Sequence, residues 1–269
     1  MPPRKRESVR VTAPLVFITG ASSGIGQALA ARFHRAGYRL ALVARRADEV
    51  SRWADAQGFA PSSWAVYAAD VRDIAAITGA GSACIAAQGV PDVVIANAGI
   101  SIGMDTAVRA DLEVMRATYE TNNIGLAATF QPFVAAMVER RSGRLVGIAS
   151  VAGVRGIPGH GAYSSSKAAV ISYCESLRGE LRPSGVRVVT IAPGYIDTPL
   201  TRGNRYSMPF LMSADRFADR AFAAIVAGDR LRFIPWQMAI VARLLKWLPD
   251  AIYDRALAGR PRKKRQTES

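Results

Sequence analysis

Short apolar runs alternate with longer segments of helical periodicity along most of the chain. The first run, residues 15–19, is followed by a glycine and then by a helical pattern over 25–36; the same pairing of strand and helix recurs at 39–44 and 48–57. Further strands are predicted at 63–69, 92–96, 144–149 and 186–192, and further helices at 73–88, 111–140 and 163–181. Strands that are almost wholly apolar and alternate with helices are typical of a parallel sheet covered on both faces. The pattern predicts a single α/β domain with a doubly wound, Rossmann-type parallel sheet.

The pattern changes after about Arg230, where two amphipathic helices are predicted at 235–248 and 251–257. We therefore divide the chain into a basic N-terminal arm (1–12), the Rossmann-type domain (13–235), a C-terminal amphipathic helical extension (236–258) and a basic disordered tail (259–269). In the extension Trp236, Ile240, Leu244 and Leu248 share one helix face, as expected for a core, lid or subunit-contact helix. The alternative is an interfacial helix that, together with the basic run 260–265, contacts an anionic membrane peripherally.

Composition limits the classes of protein that the chain can represent. Its 269 residues are 50% hydrophobic, enough for one sizeable core. The only cysteines are Cys84 and Cys174 and the only histidines are His34 and His160, so neither a disulfide framework nor a metal site is expected. No apolar run has the length of a signal-peptide core or a membrane span, and a cytoplasmic location fits best. The net charge of +14 lies largely at the ends, but aromatic residues do not interleave with the basic runs and no nucleic acid partner is expected.

A glycine-rich segment, TGASSGIG at 19–26, joins the first strand to the first helix. Glycines allow a tight turn and a close approach of the backbone to a pyrophosphate, and the helix N-terminus adds N–H donors and a favourable dipole. The segment predicts a dinucleotide site that uses Gly20, Ser22, Ser23, Gly24, Ile25 and Gly26.

The end of the second strand bears on which dinucleotide is bound. An acidic residue there would bind the ribose 2′-hydroxyl and favour NAD(H). This chain has Arg45 and Arg46 instead, and the first acid is Asp48. Because guanidinium groups suit a 2′-phosphate, the sequence favours NADP(H) over NAD(H).

Tyr163 and Lys167 stand four residues apart in a predicted helix, so both side chains leave the same face one turn apart. A nearby ammonium favours the phenolate, which brings the pKa of a tyrosine down towards the range useful for proton transfer. Tyr163 is therefore the candidate general acid/base.

Together these elements resemble the short-chain dehydrogenase/reductase family in its compact single-domain form, over about residues 13–235. The motifs that carry the resemblance are the glycine-rich segment, Asp70-Val71, Asn97-Ala98-Gly99, Asn122 in TNNIG, Ser150 thirteen positions before Tyr163, Lys167, and Pro193-Gly194 followed by Thr198. The resemblance implies an NADP(H)-dependent oxidoreductase that moves a hydride between the nicotinamide and a carbonyl or secondary alcohol.

The resemblance also implies a role for each catalytic position. Ser150 would polarise the substrate carbonyl, Tyr163 would transfer the proton, and Lys167 would bind the nicotinamide ribose and lower the pKa of Tyr163. Asn122 would anchor a water that relays the proton, with Asn123 as the less favoured alternative. Cofactor contacts are implied for Arg45, Arg46, Asp70 (adenine), Val71, Asn97 (support of the central strands), Ala98, Gly99, Tyr163, Lys167, Pro193, Gly194, Ile196 and Thr198 (carboxamide).

The substrate is less determined than the chemistry. Segments 100–104, 151–157 and 195–212 are expected to line the substrate pocket, and their apolar side chains favour a hydrophobic ketone or aldehyde. A non-catalytic NADP(H)-binding redox sensor that acts through a partner is the alternative function. Family resemblance implies a homodimer or homotetramer.

Overall fold

The computed structural model describes residues 13–204, 207–259 and 261–265. The strands are β1 (Leu15–Thr19), β2 (Arg39–Ala44), β3 (Trp64–Ala68), β4 (Val93–Ala96), β5 (Arg144–Ile148), β6 (Arg187–Pro193), β7 (Ile196–Asp197), β8 (Met212–Ser213) and β9 (Leu231–Ile234). The helices are α1 (Gly24–Arg35), α2 (Ala47–Ala56), α3 (Ile74–Gln88), α4 (Asp111–Tyr119), α5 (Gly125–Glu139), α6 (Gly161–Leu181), α7 (Pro199–Arg202), α8 (Ala214–Ala227), α9 (Gln237–Trp247) and α10 (Asp250–Leu257). The predicted Rossmann-type fold is confirmed.

The main sheet is parallel throughout, with the strand order β3-β2-β1-β4-β5-β6-β9. The chain builds outward from β1 to β3, then returns to place β4 on the other side of β1. A crevice forms at such a reversal, outside the carboxyl ends of the strands. The site residues predicted after β1 and β4 therefore meet at one place.

Both faces of the sheet are covered, because successive strand residues point to opposite sides. In β1, Phe17 packs against Phe133 of α5 on one face, with ring centroids 4.8 Å apart. Its neighbour Ile18 belongs to the core on the other face, where Phe33 of α1 contacts Phe222 of α8 at 4.9 Å. These two apolar layers hold rigid the strand ends that carry the site.

The predicted continuous helix over 111–140 is wrong in one respect. A π-helical turn, Glu120–Ile124, separates α4 from α5, and the N–H of Gly125 donates to the carbonyl oxygen of Glu120. A π turn holds one extra residue and is frequent at functional sites. Elements β7, β8, β9, α7 and α8 were not predicted.

The C-terminal region differs from the prediction at the tail. The apolar face of α9 points away from the domain, with Trp236, Leu244 and Trp247 exposed by 60%, 66% and 84%, while Met238 and Ala242 are buried. Residues 261–265, here named the C-terminal strap, were expected to be disordered but lie against the loop after β4, where Gly103 pairs with Arg265. The predicted arm 1–12 and tail residues 260 and 266–269 lie outside the described residues. Within the described part, none of the helices is both long and apolar enough to cross a membrane.

Candidate active site

A cleft of about 530 Å³ opens at the carboxyl ends of the central strands. Every residue predicted to contact the cofactor lines this cleft except Gly26, and so does Ser150. Asn122 lies behind its wall. Four further lining residues, Ile100, Pro199, Leu200 and Thr201, lie in the segments 100–104 and 195–212 that were predicted to line the substrate pocket. Lining residues that were not predicted are Val43, Ala44, Ala69, Arg72, Thr121, Ile148 and Ala149.

The glycine-rich loop fits a dinucleotide phosphate. Gly20 and Gly24 adopt φ values of +70° and +55°, which favour glycine. A Cβ on Gly26 would overlap the carbonyl oxygen of Gly20, so the turn has no space for a side chain. Ser23 precedes α1 without capping it through its side chain, which leaves the N–H groups of the first turn as donors for an anion.

Asn97 and Thr19 join the ends of β1 and β4. The Asn97 side-chain amide donates to the carbonyl oxygens of Thr19 and Gly20 at 3.0 and 3.3 Å, and its backbone N–H donates to Thr19 Oγ1 at 3.1 Å. Asn97 therefore lies where its predicted role of supporting the central strands requires.

Three arginines gather at the β2–β3 end of the cleft. Arg45 lies 3.9 Å from a carboxylate oxygen of Asp70, and Arg46 pairs with Glu49 at 2.9 Å; both side chains are more than half exposed. Arg72, which was not predicted, binds both oxygens of Asp70, the shortest contact being 2.7 Å. Hydrogen bonding from Arg72 is the main reason why the pKa of Asp70 lies below its ordinary value. The sequence signal for Arg72 was a further cation two residues after Asp70.

Lys167 is held in place by the strand next to it. It is buried, and its Nζ donates to the carbonyl oxygen of Ile148 at 2.8 Å and lies 5.8 Å from the ring centroid of Tyr163. Burial lowers the pKa of Lys167 to about 8. The predicted neighbourhood of the tyrosine and the lysine is therefore present.

The predicted direction of the pKa shift of Tyr163 is wrong. Burial raises the pKa of Tyr163, a hydrogen bond with Ser150 lowers it, and Tyr195 raises it further, so the net direction is upward. Helical spacing indicated the nearby ammonium but gave no information on burial. Ser150 itself begins a short 3-10 turn, Val151–Gly153, and its Oγ accepts from the N–H of Ala152 at 3.1 Å.

Asn122 lies in the π-helical turn and connects three segments of the site. Its Oδ1 accepts from the N–H of Ile100 at 2.9 Å, and its Nδ2 donates to the carbonyl oxygen of Ile100 at 3.1 Å and to Ser166 Oγ at 2.9 Å. A Cβ on Gly99 would lie 3.2 Å from Asn122 Oδ1 and 3.4 Å from Lys167 Nζ, which places both groups behind the same wall of the cleft. Asn123 instead donates to the backbone oxygen of Ser166.

The segment after β6 closes the cleft from the opposite side. The N–H of Gly194 donates to the carbonyl oxygen of Ile234 at 2.8 Å. Thr198 begins α7 in a capping box with Thr201, and a Cβ on Gly24 would lie 3.1 Å from the Thr198 side chain. This brings Thr198 against the glycine-rich loop. The T-x-x-T spacing was the available signal for Thr201.

Known proteins of similar sequence belong to one enzyme family. A family model described as short chain dehydrogenase matches residues 14–208. An uncharacterized oxidoreductase of Myxococcus xanthus is 40% identical over 240 residues, which are 89% of this chain and 94% of the relative. Dehydrogenase/reductase SDR family member 7B of Bos taurus is 32% identical over 274 residues, 94% of this chain and 83% of the relative.

Solved structures share the fold at low sequence identity. A short chain dehydrogenase from Burkholderia cenocepacia, in complex with NADP, has a TM-score of 0.78 at 22% identity and covers 92% of this chain and 98% of its own. A short chain dehydrogenase/reductase from Burkholderia phymatum, in complex with NAD, also has a TM-score of 0.78, at 23% identity and with coverage of 93% and 96%. One neighbour holds each dinucleotide, so the fold is compatible with both.

Proposed function

Because the chain belongs to the short-chain dehydrogenase/reductase family, we propose that it is an NADP(H)-dependent oxidoreductase that interconverts a carbonyl and a secondary alcohol on a hydrophobic substrate. One observation carries the proposal: Ser150, Tyr163 and Lys167 line the same cleft as the glycine-rich loop. Hydroxyl donors and a phosphate-sized loop in one cleft suit hydride transfer to a polarised carbonyl.

Each catalytic side chain has a definable part in the reaction. When bound, the nicotinamide supplies or accepts the hydride. As negative charge develops on the carbonyl oxygen, the hydroxyls of Ser150 and Tyr163 are the donors that this charge requires. Tyr163 gives its proton in reduction and accepts one in oxidation. Lys167 is held by the Ile148 carbonyl oxygen, and when it is charged it would oppose the rise that burial gives to the pKa of Tyr163.

The preference for NADP(H) rests on the arginines at the β2–β3 end of the cleft. Arg45 and Arg46 are exposed enough to meet a 2′-phosphate, and Arg72 adds a third guanidinium beside them. Asp70, an acid near this position, is already engaged by Arg72. The balance of charge therefore favours a phosphate over a free ribose hydroxyl.

A hydrophobic substrate is supported by exposed apolar side chains in the predicted pocket segment 195–212. Leu200 lines the cleft and is 46% exposed, and Phe210 and Leu211 in the following segment are exposed by 50% and 49%. Exposed apolar side chains in a segment that reaches the cleft suit an apolar ligand.

NADPH oxidation with a panel of hydrophobic ketones and aldehydes tests the proposed reaction. Tyr163→Phe removes the proton donor and should reduce kcat/KM by about 100-fold or more. Tyr173→Phe is the matched control, because Tyr173 lies on the same helix and is 39% exposed outside the cleft lining. Activity that survives Tyr163→Phe would contradict the assignment of the acid/base.

The cofactor preference has a separate test. The double substitution Arg45→Ala, Arg46→Ala should raise the KM for NADPH at least about tenfold, since hydrogen bonds between charged groups are lost, and leave the KM for NADH nearly unchanged. Equal changes for both dinucleotides would reject the role of these arginines.

A redox sensor that binds NADP(H) without catalysis is the competing function. It would bind NADPH tightly in a fluorescence titration yet turn over no carbonyl in the panel. The shared cleft of Ser150, Tyr163 and Lys167 favours the enzyme, because a sensor has no need of a proton donor beside the nicotinamide site.

The exposed face of α9 supports a peripheral contact with an anionic membrane. Trp236, Leu244 and Trp247 present apolar area to solvent, and Arg243 and Lys246 lie on the same helix. Aromatic side chains beside cations suit the interface of an anionic bilayer. Phosphatidylserine vesicles should sediment with the wild-type protein and not with the double variant Leu244→Glu, Trp247→Glu. Equal binding of both proteins would reject the membrane contact.

The family resemblance also supports a homodimer or homotetramer, which light scattering of the purified protein would measure.

A further inference from the structure

The backbone of the C-terminal strap binds directly to a loop of the predicted substrate pocket. The N–H of Gly103 donates to the carbonyl oxygen of Lys264 at 3.0 Å, and Gly103 forms a parallel bridge with Arg265. A Cβ on Gly103 would overlap the carbonyl oxygen of Lys263, so this close approach requires glycine. The C-terminal strap therefore packs directly over the loop that follows β4.

Two arginines fix the strap through carboxylates of the same region. Arg265 donates to both carboxylate oxygens of Asp111 at 2.7 and 3.2 Å, and Asp111 is only 2% exposed. These hydrogen bonds are the main cause of the lowered pKa of Asp111. Arg262 lies 3.6 Å from Asp105. The strap is thus anchored by an arginine on each side of Lys263 and Lys264.

Lys263 is bonded differently from the arginines on either side. Its Nζ donates to the hydroxyl of Ser101 at 2.8 Å, and within the described residues it forms no ion pair with a carboxylate. It is half-buried, and burial lowers its pKa to about 8, whereas Lys264 is exposed. An ammonium has three donors, so Lys263 retains hydrogen-bonding capacity that the hydroxyl does not use.

This ammonium is bonded to the residue that directly follows the cleft lining in the loop after β4. Ser101 directly follows Ile100, which lines the cleft and is bonded to Asn122. The Arg262 side chain lies against Gly159, where an added Cβ would be 2.9 Å away, and α6 with Tyr163 begins two residues later. The strap therefore contacts both the loop after β4 and the loop before α6, two segments that were predicted to flank the substrate.

We propose that Lys263 is a substrate-binding residue that recognises a carboxylate carried by an otherwise apolar carbonyl substrate. The proposal rests on the proposed function and specifies its substrate class as an apolar oxo acid. Holding a cation partly out of water with no carboxylate partner among the described residues costs free energy, and a bound carboxylate would offset that cost. The two flanking arginines already anchor the strap, so anchoring does not require a cation at position 263.

The test compares oxo acids of graded chain length with their methyl esters, by NADPH oxidation in the full chain. Lys263→Gln should raise the KM of the preferred oxo acid about tenfold or more and leave the KM of its ester unchanged, since only the acid loses a charged hydrogen bond. Lys263→Arg retains the charge and should stay near the wild-type value. Lys264→Gln is the matched control and should change neither KM, and thermal unfolding verifies that all variants fold.

The outcomes separate this proposal from the proposed function. An equal change for acid and ester in Lys263→Gln, or no change for either, would overturn the role of Lys263 while the reductase activity stands. If the wild-type protein reduces none of these carbonyls, the proposed function fails in this class. Calorimetric titration of the oxo acids into the NADP⁺-saturated protein then decides the binding role: weaker binding to Lys263→Gln supports it, and equal binding rejects it.

Discussion

Asn122→Ala should destabilise the protein far more than Asn123→Ala, although the two asparagines are adjacent in one π-helical turn. Asn122 is 1% exposed and makes three side-chain hydrogen bonds, two to Ile100 and one to Ser166. At about 1 kcal/mol net for each bond, Asn122→Ala should lower the free energy of unfolding by about 3 kcal/mol.

The neighbouring substitution has a smaller expected cost for a structural reason. Asn123 makes one side-chain hydrogen bond, to the backbone oxygen of Ser166, while its buried Oδ1 has no partner among the described residues. Removal of an unpartnered oxygen partly offsets the lost bond, so Asn123→Ala should cost about 1 kcal/mol or less.

Urea unfolding of both variants, monitored by tryptophan fluorescence, measures the difference. With unchanged m values, the two free energies should differ by about 2 kcal/mol. NADPH oxidation provides a second readout: Asn122→Ala should lose most activity because the Ile100 segment lines the cleft, while Asn123→Ala should retain it. Equal destabilisation by the two substitutions, or a cost below about 1 kcal/mol for Asn122→Ala, would refute the reasoning.

Three further predictions follow from local geometry and burial. Gly26→Ala should weaken NADPH binding in a fluorescence titration, because the new Cβ would overlap a carbonyl oxygen of the glycine-rich loop. The control Gly79→Ala lies on open helix surface and should instead stabilise the protein by about 0.5–1 kcal/mol in thermal unfolding. The charge of Asp111 stabilises the fold fully above the ordinary aspartate pKa of about 4, and this stabilisation is lost as the pH falls through the lowered pKa of Asp111. Asp111→Asn should therefore be less stable than the wild-type protein at neutral pH and should lose less stability than the wild type in acid. Urea unfolding across pH measures both differences. Burial raises the pKa of Cys84 to about 12 and of Cys174 to about 11, so neither thiol should react with a thiol reagent in the native protein at pH 8, and both should react after denaturation.

The sheet and the cofactor end of the site were predictable because their signals are local. Apolar strands such as 15–19 and 39–44 are continuous runs, and the glycine-rich segment lies directly at a strand–helix junction. By contrast, β9 is an edge strand with exposed Leu231 and Arg232, so it lacks the continuous apolar run of the central strands. The buried face of α8 is built largely from small alanines, which give a weak helical signal.

The parts that the sequence did not reveal depend on contacts between distant residues. The strap is rich in charge, a composition typical of a solvated tail, but Arg265 meets Asp111 across more than 150 positions. The pKa of Tyr163 depends on burial, which a spacing of four residues to Lys167 does not report. The sequence therefore predicted well which side chains meet in the cleft. It did not predict the pKa shift of Tyr163 or the packing of the strap over the loop after β4.

The π-helical turn between α4 and α5 makes the site sensitive to chain length as well as to residue identity. Because a π turn holds one residue more than an α turn, deleting one residue from Glu120–Ile124 would convert the segment to regular α-helix. Each residue advances a helix by about 100°, so residues of this segment would change direction by up to that angle relative to α4 or α5. Asn122 would then lose its alignment with Ile100 even if every site residue were kept. A one-codon deletion of Asn123 or Ile124 would thus misalign the site without removing a side chain that lines the cleft, whereas a deletion in the exposed 57–60 loop would leave the site intact.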